Sequence, residues 1–169
     1  VRLLFAGLFL ATVVAANAAL HRWGIVPVGF GLYAPAGVYF AGLTFGLRDA
    51  LHETGGRRWV LAAIAAGAAL SALIDPRLGL ASGVAFATGE LADLAIYEPL
   101  RQRHWTAAVA ASNTVGAVTD SLLFLALAGL PLHLWAGQTV GKTYMIAVAL
   151  PVVWWTRRAL SRQPRPAVA

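Results

Sequence analysis

Apolar runs dominate the chain, and they recur at the length a bilayer demands. A hydrocarbon core of about 30 Å needs roughly 20 helical residues at about 1.5 Å each. Six runs qualify or nearly qualify: Leu3–Leu20, Val28–Leu47, Trp59–Ile74, Leu78–Tyr97, Thr106–Ala128 and Ala136–Thr156. The third is short by this rule. Helix breakers separate them: Pro27, Gly55-Gly56, Asp75-Pro76, Pro99 and Pro131. No low-complexity tract or linker interrupts the series, and no internal repeat is evident. The pattern predicts an all-α integral membrane protein with six transmembrane helices forming a single domain over residues 1–169.

Composition agrees. Of the 169 residues, 59% are hydrophobic and 12% charged, with mean hydropathy +0.70. A soluble domain carries about 25% charged residues. There is no cysteine, which excludes disulfides and thiolate metal sites.

The net charge of +6 could suggest nucleic acid, but the placement of the arginines argues against it. Arg2, Arg48, Arg57, Arg58, Arg101, Arg103, Arg157, Arg158, Arg162 and Arg165 fall on one side of the predicted topology. Arg22 and Arg77 fall on the other. This asymmetry follows the positive-inside rule and predicts cytoplasmic termini in an inner-membrane protein. The positive charge thus belongs to topology, and no nucleic-acid partner is expected.

The first run has a rival reading. Arg2, an apolar stretch and "ANA" at 16–18 resemble a cleavable signal peptide. The pattern Gly7, Ala11, Ala15, Ala19 favours a retained helix, because small residues at this spacing let another helix approach closely.

A few polar residues interrupt the runs. Glu90 and Asp93 share a face of the fourth, three residues apart. Asn113 and Asp120 share a face of the fifth, with Gly116 between them. Gln138 and Lys142 share a face of the sixth, beside Gly137 and Gly141. Arg48, Asp49, His52 and Glu53 close the second at its cytoplasmic end. A charged group at such depth costs about 2.5–3.5 kcal/mol on insertion scales and usually faces the bundle interior. Each could be a brace between helices, since interhelical polar contacts contribute only about 0.6 kcal/mol on average. As a set, polar groups on three helices with glycines beside two of them fit a cavity better.

Three carboxylates would supply acceptors there, and Asn113 and Gln138 both donors and acceptors. Phe86, Tyr97, Trp105, Phe124 and Tyr144 would supply flat apolar surface. A planar heterocycle with adjacent N–H donors fits this chemistry, and a cation pathway fits it equally. No catalytic motif is present: there is no HExxH and no GxSxG. Ser112 and Ser121 lack a histidine partner, because His104 and His133 fall at run edges. The chain is not expected to be an enzyme, nor to need a cofactor or metal.

Five blocks resemble the queuosine precursor transporters, the VUT (vitamin uptake transporter) family. They are "TVVAAN" from Thr12, "APAGVYFAGLTFGLRDALHETGG" from Ala34, "LASGVAFATGELADLAIYEPLR" from Leu80, "ASNTVGAVTDSLLF" from Ala111 and "GQTVGKTYMI" from Gly137. Together they span about 130 residues of the chain. The chain departs from the family's pattern in its terse loops and in Glu90, where glutamine is more usual.

The resemblance implies a fold like the substrate-binding subunits of energy-coupling-factor vitamin transporters. It implies uptake of a 7-deazaguanine precursor of queuosine, such as 7-cyano- or 7-aminomethyl-7-deazaguanine. Carried over by position, Glu90, Asp93, Asn113, Asp120, Gln138 and Lys142, with Phe86, would surround the ligand. Arg48, Asp49 and Glu53 would gate or brace. Two carboxylates on one face in a poor dielectric do not readily ionise together, which raises proton coupling as a hypothesis beside facilitated uptake. Homo-oligomerisation and dependence on a separate ATP-driven module are left undecided by the residues.

Overall fold

The computed structural model describes residues 1–100, 103 and 105–161. Arg101, His104, Arg162 and Arg165 lie outside the described residues, as do the side chains of Tyr97, Trp105 and Arg157. The described chain forms α1 (Arg2–Trp23), β1 (Ile25–Gly29), β2 (Leu32–Pro35), α2 (Val38–Gly55), α3 (Arg57–Ile74), α4 (Pro76–Leu100), α5 (Trp105–Ala128) and α6 (Trp135–Ser161). The architecture is α-helical, as expected. Among the described residues, three helical stretches are long and apolar enough to cross a bilayer on their own: Arg2–Trp23, Arg57–Ile74 and Ala111–Ala128. The helices α2, α4 and α6 carry Arg48 and Asp49, Glu90 and Asp93, and Lys142.

Pro99, expected to separate two runs, lies inside α4, whereas two other helix ends follow from identifiable local chemistry. Asp75 Oδ1 accepts the backbone N–H groups of Arg77 at 2.9 Å and Leu78 at 3.1 Å. It therefore caps α4, and Pro76 takes the first helical position, where a missing N–H costs nothing. At the end of α5, Gly129 adopts φ 70°. Its N–H donates to Ala126 O, and that of Leu130 to Leu125 O. This paired closure needs a left-handed residue after the last helical one, which glycine supplies without a Cβ penalty.

The second predicted span, Val28–Leu47, is corrected. Its start belongs to a β-hairpin that opens before it, at Ile25, with Val26 opposite Ala34 and Pro27 opposite Tyr33, and the helix starts only at Val38. Pro27, Gly29, Gly31, Pro35 and Gly37 make helix costly across this stretch. The turn needs positive φ at Gly29, Phe30 and Gly31. The helix instead continues past Leu47 to Gly55, so Arg48 and Asp49 lie inside α2 rather than at its end.

Helices α2 and α6 approach through glycine. A Cβ at Gly42 would sit 2.7 Å from Lys142 O, one at Gly46 would collide with Ala149 Cβ, and one at Gly141 would lie 2.9 Å from Val38 Cγ1. Helices α4 and α5 cross in the same way. A Cβ at Gly89 would be 2.9 Å from Asp120 Cβ, and one at Gly116 would be 3.2 Å from Asp93 Cβ.

An apolar cluster of Phe5, Phe9, Ala50, Leu51, Val60 and Ala63 joins α1, α2 and α3. Large apolar side chains also cover much of the outside, among them Leu73, Leu80, Leu91, Val148 and Trp155. Such coverage suits contact with lipid. On α1, Gly7 and Ala11 face outward while Ala19 is buried. Arg2 stands 5.1 Å from the Trp59 ring centroid, which puts the start of α1 and the start of α3 at one end of the bundle. Arg77 lies at the other end, its Nε 3.5 Å from Leu127 O near the close of α5.

Candidate functional site

Six helices and the end of the hairpin enclose a cavity of about 100 Å³. By the same measure one water needs about 10–15 Å³, so the space suits one small molecule or several waters. Its wall is mainly apolar. Phe86 of α4 is central, 5.9 Å from the Phe9 ring and nearly perpendicular to it, and 4.9 Å from the Phe45 ring. Phe124 of α5 also lines the space. Polar groups enter from α1 with Asn17, α2 with Thr44, α4 with Ser82, α5 with Asp120, and α6 with Gln138 and Lys142.

The polar edge is built around Lys142, which is 2% exposed. Its ammonium carries three donors, and each has an acceptor. One is Asp120 Oδ2, in a buried ion pair. The others are Ser121 Oγ at 2.8 Å and Gln138 Oε1 at 3.1 Å. Gln138 precedes Lys142 by one helical turn, which stacks the two on one face. The glycine contact with α2 and the α4–α5 crossing bring that face and Asp120 into the bundle interior. A charge so deep is tolerable only when paired and hydrogen-bonded, and this one is.

On the opposite wall Asn17 donates to Val13 O at 2.9 Å and to Ser71 Oγ at 2.8 Å. The second bond ties α1 to α3. Thr12 and Thr44 are 3.0 Å apart between α1 and α2.

The residues singled out from the sequence divide into two groups. Phe86, Asp120, Gln138 and Lys142 line the cavity. Glu90 follows Phe86 by one turn of α4 and meets Arg48 of α2, and Asp93, almost a turn further, lies against Gly116 of α5; neither is among the cavity-lining residues. Arg48 Nη2 is 2.7 Å from Glu90 Oε1, an ion-pair distance without hydrogen-bond alignment. Arg48 Nη1 is 3.2 Å from Asp49 Oδ1. The Asp93 carboxylate also acts on Arg48 and on Glu90. Asn113 is half-buried two turns from Asp120 on α5 and is not among the cavity-lining residues. Glu53 is exposed. Tyr144 is 40% exposed.

Asn17, Thr44, Ser82 and Ser121 were not anticipated as site residues. Asn17 had a signal, being the lone amide of an apolar helix. Ser121 had one in its adjacency to Asp120. Thr44 and Ser82 had none, because such residues are unremarkable in membrane helices.

Over residues 74–156 the chain matches the family profile described as "Putative vitamin uptake transporter". That stretch runs from the end of α3 into α6, so it contains Phe86, Glu90, Asp93, Asn113, Asp120, Gln138 and Lys142, but not Asn17 or Arg48. No curated protein and no solved structure matches the chain. That description accords with the apolar helices of a membrane protein.

Proposed function

We propose, on the premise that residues 74–156 carry the vitamin uptake transporter family's sequence, that this chain imports a 7-deazaguanine precursor of queuosine, 7-cyano- or 7-aminomethyl-7-deazaguanine. It would do so across a bacterial inner membrane, with both termini cytoplasmic. The observation that carries the reading is the cavity's division into an aromatic wall at Phe86 and a polar edge at Asp120 and Gln138. A planar bicyclic ring can stack on the wall. A guanine-like edge presents two adjacent N–H donors, which one carboxylate accepts together, as it does from a guanidinium. Lys142 takes Asp120 Oδ2, and a carboxylate offers about four acceptor sites in all, so capacity remains for the ligand. Proton coupling belongs to the same proposal.

Thermal unfolding of the purified protein against deazaguanines, guanine and vitamins tests it. A ligand at 100 times its Kd should stabilise the protein by about 2.7 kcal/mol. The 7-deazaguanines should do so and the vitamins should not; the reverse result would reject the substrate class. Phe86→Ala should weaken binding by roughly 5- to 150-fold, since base stacking on an aromatic contributes about 1–3 kcal/mol. Unchanged affinity would remove Phe86 from the ligand.

A second reading, a substrate-binding subunit working with an ATP-driven module, is favoured by the outward-facing Gly7 and Ala11 of α1, where another helix could approach. Uptake by the chain alone in liposomes separates the two: it supports the stand-alone transporter and rejects the module.

A further inference from the structure

Asp93 is 7% exposed, and its Oδ1 has no hydrogen-bond partner among the described residues. Arg48, equally buried, has an Nε in the same condition. With Glu90 Oε1, also without a hydrogen bond, two spare acceptors and a spare donor therefore belong to one buried cluster. Burying any of them alone is costly, and nothing in the substrate reading uses them, because none of the three residues is among those that line the cavity.

The charges around Asp93 can be counted by element. From α2 come Arg48 and Asp49, with His52 and Glu53 next to Asp49; from α4 comes Glu90. Asp120 of α5 also acts on Glu90, but Lys142 neutralises it. The cluster thus holds one guanidinium and three carboxylates. Arg48 engages Glu90 and Asp49 directly, and the Asp49 side chain is 34% exposed, so water can share its charge. Glu90 Oε1 likewise lacks a hydrogen bond but lies at ion-pair distance from Arg48; among the described residues Asp93 is the buried carboxylate of the cluster without an ion pair.

We propose that Asp93 is the site of the coupling proton, and that Arg48 exchanges its partner between Glu90 and Asp93 as that proton comes and goes. The inference rests on the transporter reading above and locates its energy source. A metal cation fits poorly, because the Arg48 guanidinium already engages both Asp49 and Glu90. Among the described residues no group of three His, Asp or Glu is arranged to hold one.

The step balances simply. A proton from the outer solution bonds to Asp93 Oδ1, leaving Arg48 with Glu90. Its later release, through the half-exposed Asp49 to cytoplasmic water, restores the Asp93 anion, which then attracts Arg48 Nε. This partner exchange draws α2 against α4 in one state and relaxes it in the other. Coupling to the cavity is short-range. Phe45 on α2 and Phe86 on α4 stand 4.9 Å apart at the cavity wall, one turn from Arg48 and Glu90 respectively. Asp93 Cβ also lies against Gly116, one turn from Asp120.

Infrared difference spectroscopy on the purified protein, without substrate, tests the proton site directly. A pH-dependent protonated-carboxyl band should appear in the wild type. It should move on labelling with ¹³C-aspartate, vanish in Asp93→Asn and persist in Asp49→Asn. In proteoliposomes an inward proton gradient should drive 7-cyano-7-deazaguanine above the external concentration, and Asp93→Asn should lose that accumulation. A missing band, or one unmoved by labelled aspartate, overturns the proposal even if Asp93→Asn fails to fold. Gradient-driven accumulation in a folded Asp93→Asn protein also overturns it. If no deazaguanine binds at all, the substrate reading fails, while the infrared band still decides the fate of Asp93.

Discussion

Lys142→Met should destabilise the protein by about 3–5 kcal/mol, because it leaves Asp120 as a buried charge without its cation. Ser121 and Gln138 lose their shared donor at the same time. Thermal unfolding in detergent reads the loss, and uptake of a deazaguanine should fall to background. Stability and function then part company in the double variant Lys142→Met with Asp120→Leu. Exchanging a whole buried ion pair for apolar groups is often neutral, or stabilising by about 1–4 kcal/mol, so this variant should regain most of the lost stability. Uptake should stay at background, because the carboxylate that would hold the ligand's N–H groups is gone. A double variant that both folds and transports would reduce the pair to a helix brace.

Gly89→Val is expected to have the next largest effect. The new Cβ would meet Asp120 Cβ at 2.9 Å and Gly116 O at 3.0 Å, and neither neighbour is a flexible side-chain end. The α4–α5 crossing must widen. Overpacking of this kind costs about 1–3 kcal/mol. The functional loss should exceed what that figure suggests, because Asp120 rides on the displaced helix and must meet Lys142 on α6 while facing the cavity. Gly7→Val is the matching control: nothing lies within 4 Å of a Cβ there, so unfolding temperature and uptake should be close to wild type. Equal losses in the two variants would mean that valine in any helix, rather than this crossing, is at fault.

Several features were readable in the chain before folding. Helices α1, α3, α4, α5 and α6 fall close to their apolar runs, and Asp75-Pro76 starts a helix by local chemistry that a short stretch carries by itself. The hairpin at Ile25–Pro35 was hidden because most of it, from Val28 on, falls in an apolar run. Val26, Val28, Leu32, Tyr33 and Ala34 look as lipid-compatible as a helix, and average hydropathy weighed more than five glycines and prolines. The polar set was visible too, but its partners were not. Sequence spacing grouped Glu90 with Asp93 and made both neighbours of Asp120. Spacing is silent about Arg48, which approaches Glu90 from the stretch of α2 beyond Leu47, where the apolar pattern ended the helix eight residues too early.

What the sequence determined is the cost of each segment in lipid: which runs are apolar enough to lie there, where they stop, and which charges must find compensation. These are properties of adjacent residues. What only the tertiary structure decided is how that compensation is distributed, with Lys142 going to Asp120 across 22 residues and Arg48 going to Glu90 from another helix. The reason is geometric. A charge pair forms only where two helix axes come close, and here the glycines at positions 42, 46, 89, 116 and 141 set that approach through contacts between residues far apart in the chain.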